Sequence, residues 1–390
     1  LEFLIELDDI LIEKLLNHGN SDEIANLIQD ASTNDQRYIL EALKEDQAKS
    51  VMELLETDEK EEIEEIMAYP EDSAGSMMST DIFTLHQDTS CGEALKAIQD
   101  QEEAEMVFYL YITNDENSLS GIASLRALAT TPQNTTLKDI MIKKIHSVRP
   151  EMDQEDVAQI VAQYNYLAVP VVDVDNHLLG IVTVDDVVDV IREEATEDFL
   201  KMAGAGKDRE ILLKSSFENV RARFPWLFAS WVGGVIAATV IGVFENMLEN
   251  IIILTAFIPV IIGMGGNIGT QSSTIIVRGM ATGRIEIGNE WKILIKELKI
   301  GLILGLLYGF LLGMFAIFKF VDTDPVIGLV VGLSICASMV LATGVGTFSP
   351  LILRKLDIDP AIATGPFVTT SIDILGVLLY FIIANSLLNF

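Results

Sequence analysis

Residues 259–283, PVIIGMGGNIGTQSSTIIVRGMATG, lie inside a long apolar region and decide the fold class of this chain. The stretch mixes four closely spaced glycines with amide and hydroxyl side chains. In lipid every such polar group needs a partner, and small residues let helices approach closely while polar ones face a neighbour or a water-filled path. The stretch therefore predicts a polytopic membrane protein with a hydrophilic path; a tightly packed helix pair is the alternative.

Charge divides the chain into two halves. Residues 1–200 carry 45 acidic and 12 basic side chains, whereas residues 201–390 carry 13 and 14. Such a negative charge opposes compaction by self-repulsion, so the acidic half is expected to need counter-cations; a solvated acidic surface is the alternative. Nucleic acid is excluded as a partner, because binding phosphate needs basic side chains. Two cysteines, Cys91 and Cys336, give no disulfide framework.

The second half predicts five membrane spans. About 20 apolar residues cross the hydrocarbon core. Runs of this kind cover residues 225–244, 251–281, 293–318, 325–353 and 362–388, here called spans one to five, within a transmembrane domain at 223–390. In span three Gly301, Gly305, Gly309 and Gly313 recur every four residues, which predicts one closely packed helix face.

The charges that flank the spans predict an orientation. Basic residues collect before span one, between spans two and three, and after span four, while the opposite side is mainly acidic. Because Lys and Arg accumulate on the cytoplasmic side, we expect a multi-pass protein of the cell membrane, surrounded by lipid, with its N-terminus cytoplasmic and its C-terminus external.

Asp373 is the one ionisable residue of span five, and a carboxylate at membrane depth indicates a functional site. Thr369, Thr370 and Ser371 precede it by about a turn, and Gly365 with Pro366 interrupts the helix upstream. A carboxylate held by a neighbouring helix for structure is the alternative. All four histidines lie in the acidic half, so the path is expected to offer only oxygen ligands, which suit Mg²⁺. Two copies in a two-fold dimer would supply two carboxylates.

The sequence contains no motif typical of nucleotide hydrolysis or of a membrane-embedded proton relay. No G-x-x-x-x-G-K-[ST] motif is present, and we expect no membrane-embedded His or Glu that could relay protons. The chain is therefore not expected to be an enzyme.

The acidic half begins with short amphipathic helices over residues 1–70 and continues with an internal duplication. The start lacks Met, and we expect it to lie inside a longer first domain. The duplicated modules, about 71–134 and 135–198, each follow a β-α-β-β-α order, which resembles a tandem pair of CBS domains. That resemblance implies either binding of ATP or another adenine nucleotide, or a role as a regulatory dimer. Thr183 and Asp186 match the family's ribose contact in the second module, whereas Ala127 replaces the Asp in the first.

Acidic residues crowd the exit of the second module, where like charges three or four residues apart destabilise a helix unless a cation bridges them. This pattern predicts a divalent-ion sensor, with a solvated helix face as the alternative. The cluster comprises Asp185, Asp186, Asp189, Glu193, Glu194, Glu197 and Asp198, and the further candidates are Asp72, Asp153 and Asp156. A connector at 199–222 follows, with Gly204 and Gly206 ahead of a helix carrying Lys207, Arg209, Lys214 and Arg221.

Together these parts resemble the MgtE family of magnesium channels and transporters over nearly the whole chain. The resemblance implies a multidomain fold: an all-α N-terminal domain, an α/β CBS pair, a connecting plug helix and a five-helix transmembrane domain. It also implies a homodimeric Mg²⁺ pore lined by spans two and five. Asp373 would bind the ion, with Asn267, Gly266 and Thr370 beside it, and Asp359 would form a peripheral cation site. Mg²⁺ bound between the acidic domains would keep the pore closed.

Two other function classes stay open at this point. One is an exchanger that couples Mg²⁺, Co²⁺ or Mn²⁺ to H⁺ or Na⁺, for which Asp373 could also serve. The other is a CBS-type sensor that the spans merely anchor in the membrane. Flux measurements separate both from a channel.

Overall fold

The computed structural model describes residues 4, 7, 9–16, 19–29, 31, 33–100, 109–206, 211–285, 288–321, 324–356 and 358–388. They form two compact units, Leu1–Glu194 and Ala195–Phe390. Each unit has its own hydrophobic cores, and each is described by itself below.

The first unit opens with short helices, as expected from the apolar spacing. They are α1 (Asp9–Leu16), α2 (Ser21–Ile28), α3 (Thr33–Ala42), α4 (Glu45–Met52) and α5 (Thr57–Met67). Their apolar faces meet in a small core that includes Ile28, Ile39 and Ile63, all fully buried. The prediction of a helical N-terminal domain is confirmed, while the predicted opening residues 1–8 lie largely outside the described residues.

The duplicated modules follow. The first contains α6 (Ala74–Met77), β1 (Thr84–His86), α7 (Cys91–Gln99), β2 (Tyr109–Thr113), β3 (Leu119–Ser124) and α8 (Leu125–Thr130). The second contains α9 (Leu137–Ile140), α10 (Gln154–Tyr164), β4 (Ala168–Val172), β5 (Leu178–Thr183) and α11 (Val184–Met202). β1 pairs parallel with β2, and β2 with β3 and β4 with β5 pair antiparallel. The start of the predicted strand 106–112 lies outside the described residues. The opening strand of the second module is only a parallel bridge between Val148 and Val171.

Each module places its opening segment in the other module. Ser79 bridges Ile181 of β5, and Ile142 bridges Ile122 of β3. A methyl group added at Gly180 would lie 2.6 Å from Met78 Sδ, and one at Gly121 would lie 2.8 Å from Met141 Sδ. The two strand glycines are thus required by the close approach of a methionine from the other repeat.

The second unit contains the five predicted membrane helices, which confirms their number. Span one is α12 (Ser216–Val243), and span two is α14 (Ile258–Ala281), preceded by α13 (Glu245–Asn250) and a 3₁₀ turn at Ile252–Phe257. Span three is α15 (Glu290–Lys319) and span four is α16 (Val326–Lys355). Span five is α17 (Pro366–Leu388), preceded by a 3₁₀ turn at Pro360–Ala363. All five are long and apolar enough to cross a membrane.

The glycine row of span three packs on span four, as its four-residue spacing predicts. A methyl group added at Gly309 would lie 2.4 Å from the Gly332 carbonyl oxygen, and one at Gly313 would lie 2.7 Å from that of Gly328. At one end Gly301 faces Thr343, whose hydroxyl would be 2.3 Å from such a methyl group. The two antiparallel helices therefore touch backbone to backbone, which is how small residues drive packing in lipid.

In the described residues the connector, predicted as a separate helix after Gly204 and Gly206, is divided between the end of α11 and the start of span one. Residues 199–202 end α11, and residues from Ser216 onward already belong to span one, with a capping box formed by Ser215 and Glu218. Gly204 and Gly206, with φ of 68° and 100°, break the chain direction between them, since such backbone angles suit glycine. Lys214 precedes the helix and Arg221 lies inside it, while Lys207 and Arg209 lie outside the described residues.

Candidate functional site

Asp373 lies half-buried on span five and faces the glycine-rich part of span two. A methyl group added at Gly266 would lie 3.9 Å from Asp373 Oδ1 and 3.9 Å from the Thr369 methyl carbon. Span five starts abruptly at Pro366 because Gly365 has a φ of 60°. The Asp373 carboxylate and Thr369, one helical turn apart, thus both face the backbone of span two at Gly266, where no side chain intervenes.

Span two divides its polar residues between two faces. Asn267, Gln271 and Arg278 are exposed, and Thr270 and Thr274 are half-buried. Their spacing of three, four and seven residues puts them on one side of the helix. The other side holds Gly265, Gly269, Ser272 and Ser273, all buried against neighbouring spans. The exposed stripe is the hydrophilic surface that the sequence of residues 259–283 predicts.

Thr370, predicted beside the ion path, packs elsewhere. A methyl group added at Gly233 of span one would lie 1.7 Å from the Thr370 methyl carbon. Its side chain therefore fills the contact between spans one and five, while Thr369 shares the direction of Asp373. The preceding helical residue points about 100° away, so adjacency in the sequence did not decide which threonine faces span two.

Span three contributes a buried carboxylate that contradicts the expectation of no membrane-embedded Glu. Glu297 is 7 % exposed, and Ser272 Oγ donates a 2.9 Å hydrogen bond to Glu297 Oε2. Its neighbours Lys296 and Lys299 are exposed. Sequence reasoning passed over Glu297 because two lysines flank it near the end of a span, where charged side chains are ordinary.

Asp359 lies in a second polar group of the same unit, where the resemblance placed a peripheral cation site. Lys201 Nζ lies 2.5 Å from both Glu197 Oε1 and Asp359 Oδ2. Asp359 also accepts a hydrogen bond from the Ala361 amide at 2.8 Å, capping the 3₁₀ turn before span five. Burial lowers the pKa of Lys201, but its bonds to Asp359 and Glu197 outweigh burial and raise that pKa. An ammonium group thus holds the position between two predicted metal ligands.

Asp198 lies beside this group with a raised pKa of about 6. Burial is the main cause and the charge of Asp359 adds to it, whereas Lys201 acts against both. When the pKa of a carboxyl group is higher in the folded state than in the unfolded chain, the folded state loses stability as pH rises from the lower pKa to the higher one. The ionised form of Asp198 therefore costs stability above pH 6 unless a cation compensates it.

Because ionised Asp198 destabilises the fold, we predict that Asp198→Asn stabilises the protein at neutral pH but not at acidic pH. A shift of about two pKa units corresponds to at most about 3 kcal/mol, and partial exposure reduces this to roughly 1–2 kcal/mol. In detergent with a chelator, the variant should unfold a few degrees above the wild type at pH 7.5 and at nearly the same temperature at pH 4. Added Mg²⁺ should narrow the difference at pH 7.5. An equal difference at both pH values would contradict this assignment.

In the first unit, Gln154 brings two predicted ligands together. Its Nε2 donates to Glu194 Oε1 at 2.6 Å and to Asp72 Oδ1 at 3.2 Å. Asp153, which caps α10 through the Glu155 amide, bridges Ser73 next to Asp72. Residues far apart in the sequence thus converge at the N-terminus of α10, where the helix dipole favours negative charge.

The remaining predicted ligands are dispersed or already bonded. Asp186 Oδ2 accepts from the Thr183 amide at 3.0 Å and from its hydroxyl at 2.6 Å, so the pair matched to a ribose contact caps α11. Burial raises the pKa of Asp186, against these two hydrogen bonds. Asp189 lies 3.4 Å from Arg192, and Asp185 and Asp156 are exposed.

One group of possible metal ligands has no counterpart among the predictions. Asp173, Asp175 and His177 hold one ligand atom each within 4.8 Å of one another, in the turn between β4 and β5. Asp173 also accepts from the Asp175 and His177 amides, as turn-forming aspartates do. The i, i+2, i+4 spacing of these residues could have indicated the group from the sequence. The hydrogen bonds of the turn are enough to explain why the three side chains lie close together.

Comparison with known proteins gives matches along most of the chain. A family model described as "Divalent cation transporter" (MgtE) matches residues 258–383, models of the CBS domain match 74–132 and 137–193, and a model of the MgtE intracellular N domain matches 1–72. The magnesium transporter MgtE of Bacillus subtilis is 33 % identical over 96 % of this chain and 80 % of its own length. That of Thermus thermophilus is 36 % identical over 84 % of this chain and 72 % of its own length. The soluble part of a magnesium transporter, a crystal structure, is 35 % identical and covers 50 % of this chain and 76 % of its own, with a TM-score of 0.48.

Proposed function

Because this chain belongs to the MgtE family of divalent cation transporters, we propose that it carries Mg²⁺ across the cell membrane through a path between spans two and five. The observation that carries the proposal is the single carboxylate of span five, Asp373, facing the bare backbone at Gly266. The exposed stripe that starts at Asn267 lies about 100° around span two from Gly266 and offers neutral amide oxygens to the same path. Transport, not enzymatic catalysis, is the function we assign.

Mg²⁺ is the substrate that suits this chemistry best. It prefers octahedral oxygen coordination near 2.1 Å and keeps several waters, so it needs few direct protein ligands. A carboxylate with amide, hydroxyl and carbonyl oxygens around it can bind the hydrated ion through its waters. Soft metals would favour His or Cys ligands, and the described part of spans two and five offers neither.

The exposed polar stripe of span two favours a homodimer. In a lone protomer Asn267 and Gln271 would face lipid, which is costly for amide side chains. A second copy related by a two-fold axis would enclose the stripes and add its own carboxylate. We propose a pore on that axis, surrounded by membrane lipid, with the acidic half cytoplasmic and the C-terminus external, as the flanking Lys and Arg indicate.

Control by internal Mg²⁺ is the second part of the proposal. The acidic charge near α10 and α11 would repel its own copy across a dimer, and bound Mg²⁺ would remove that repulsion. Closure at high internal Mg²⁺ is then a population shift toward a compact state. The convergence of Asp72 and Glu194 on Gln154 supports a site in the first unit. In the second unit the Lys201 ammonium group lies between Asp359 and Glu197, and Mg²⁺ would have to displace it to bind there.

We propose nucleotide binding at the second CBS module and not at the first. The cytosolic domain of a Mg²⁺ channel MgtE that is 32 % identical to this chain has been crystallised in complex with ATP. In this chain Thr183 and Asp186 are the candidate ribose contacts, and Ala127 leaves the first module without one. We propose that ATP or a related adenine nucleotide binds the second module.

The proposed function predicts Mg²⁺ uptake by liposomes that contain the purified full-length chain. At low Mg²⁺ on the cytoplasmic face, uptake should exceed that of empty liposomes by about tenfold or more and follow the imposed Mg²⁺ gradient. Raising Mg²⁺ on that face should stop it. Uptake should be measured across Mg²⁺, Mn²⁺, Co²⁺, Ni²⁺ and Ca²⁺.

Electrical currents and tracer uptake of the reconstituted protein separate the other two function classes. Currents that reverse at the Mg²⁺ equilibrium potential at every pH and Na⁺ concentration exclude an exchanger, for which the buried Glu297 is the one favourable observation. An anchored sensor would bind Mg²⁺ without any uptake above empty liposomes, and that result would overturn the transport proposal.

A further inference from the structure

The buried pair of Glu297 and Ser272 joins spans two and three inside the bundle. Glu297 is 7 % exposed and Ser272 is 2 % exposed, and their 2.9 Å hydrogen bond lies entirely in the interior. An intramembrane carboxylate is costly and rarely retained without a role. Spans two and five can enclose the proposed ion path without it, so its role lies elsewhere.

More hydroxyl groups lie at the same level. Gly346 of span four touches the Gly269 carbonyl of span two, and Thr343 of span four faces Gly301 of span three. One turn further along each helix come Ser273 and Thr347, both completely buried. Within the part of the chain that the structure describes, neither hydroxyl has a hydrogen-bond partner. The junction of three spans is thus polar, and the Ser272–Glu297 bond connects span two to span three.

That bond spans a gap between two helices that have little other contact. In the described residues, span four packs extensively against both span two and span three, whereas spans two and three scarcely approach each other. The contacts of span two with its other neighbours involve Gly265 and Gly269 against Ile372 and Ala342. Buried Ile261, Ile268, Ile276 and Val277 of span two pack there as well. These apolar contacts hold the helices close, whereas the Ser272–Glu297 hydrogen bond is also directional.

Rotation of span two about its axis changes the position of its polar side chains relative to Asp373. Side chains lie about 5–6 Å from the helix axis, so a rotation of about 20° moves Asn267 by about 2 Å relative to Asp373. This displacement is comparable to a Mg²⁺–oxygen bond. A directional hydrogen bond at Ser272 adds one preferred rotation angle to these apolar contacts.

We propose that Glu297 is a positioning residue for ion selection: its buried hydrogen bond to Ser272 sets the rotation of span two, and thereby the width between the Asn267 stripe and Asp373. This inference rests on the proposed transport function and specifies it further. It predicts that loss of the bond alters which hydrated divalent ion passes, not only how much passes.

The test compares four variants of the full-length chain in liposomes, with Mg²⁺ and Ca²⁺ uptake measured separately. Ser272→Ala and Glu297→Leu should each change the Mg²⁺:Ca²⁺ uptake ratio by about threefold or more, in the same direction. Their double variant should change it no further, because both remove one bond. Glu297→Gln, whose amide oxygen can still accept from Ser272, should stay within twofold of the wild type. Ser273→Ala is the matched control, an equally buried neighbour not bonded to Glu297, and should also stay within twofold.

Two results would overturn the proposal: an unchanged ratio in Ser272→Ala, or an equal change in Ser273→Ala. A merely structural role would lower the uptake of both ions together. A second readout does not depend on transport, namely the distance between spin labels on Ile275→Cys and Lys319→Cys, both exposed, in a chain without Cys91 and Cys336. Ser272→Ala should broaden that distance distribution and Ser273→Ala should not. If the wild type takes up no Mg²⁺, the transport proposal fails, and these distances still decide the role of Glu297.

Discussion

Replacing Asp373 with Asn should abolish nearly all Mg²⁺ uptake by reconstituted protein. Two unit charges 4 Å apart interact by about 4 kcal/mol at an effective dielectric constant of 20, and a divalent ion doubles this. Losing it removes the main attraction for a cation at membrane depth, so uptake should fall by at least about tenfold. Asn keeps the shape of the side chain, and the half-buried position tolerates it. Asp373→Glu should retain part of the activity, because the charge stays on the same helix face.

The control for this prediction removes an acidic charge elsewhere in the same unit. Glu245→Gln, on an exposed position of α13, should leave uptake within about twofold of the wild type. Tracer uptake per folded protein, quantified after size-exclusion chromatography, separates transport from expression. Wild-type uptake by Asp373→Asn would sink the assignment of this carboxylate to the ion path.

Neutralising the acidic groups outside the spans should produce uptake that high internal Mg²⁺ no longer stops. The informative variant is Asp189→Asn, Glu194→Gln and Glu197→Gln, because it leaves the cap between Thr183 and Asp186 intact. Removing these carboxylates lowers the affinity of the closed state for Mg²⁺, and we expect this loss to outweigh the smaller repulsion left to oppose closure. Since a population shift needs differential binding to two states, the Mg²⁺ concentration for half-closure should rise by about tenfold or more.

The matched control changes the same number of charges at exposed positions of the N-terminal helices. Glu53→Gln, Glu61→Gln and Glu65→Gln remove three carboxylates from the same acidic half. If position matters, this variant closes like the wild type. Equal loss of closure in both variants would show that total charge governs closure, and would remove the specific sensor role from Glu194 and Glu197.

The fold could be predicted from the sequence because its signals are local. Five long apolar runs, a four-residue glycine period and a repeated pattern of strands and helices each have a direct physical meaning, and the helices and strands formed accordingly. The site could be predicted only where one residue stands out against its surroundings, as Asp373 does in span five. Glu297 lies between lysines, and only the direction of its side chain, set by packing, turns it inward.

Connections between distant residues could not be predicted in the same way. No local pattern indicates that Gln154 bonds both Asp72 and Glu194, or that Lys201 occupies the position between Glu197 and Asp359. Sequence proximity was also misleading for Thr370, whose neighbour Thr369 faces span two instead. These arrangements depend on tertiary packing, which overrides neighbour relations along the chain.

The reciprocal insertion of Met78 beside Gly180 and of Met141 beside Gly121 makes the two repeats inseparable. Ala74, Met77 and Met78 complete the core of the second repeat, and Leu137, Ile140 and Met141 complete that of the first. Deleting either repeat would leave a hole in the survivor. The first repeat, which has Ala127 where the second has Asp186, is then required as the structural complement of the other. A substitution in either exchanged segment therefore acts on the core of the other repeat.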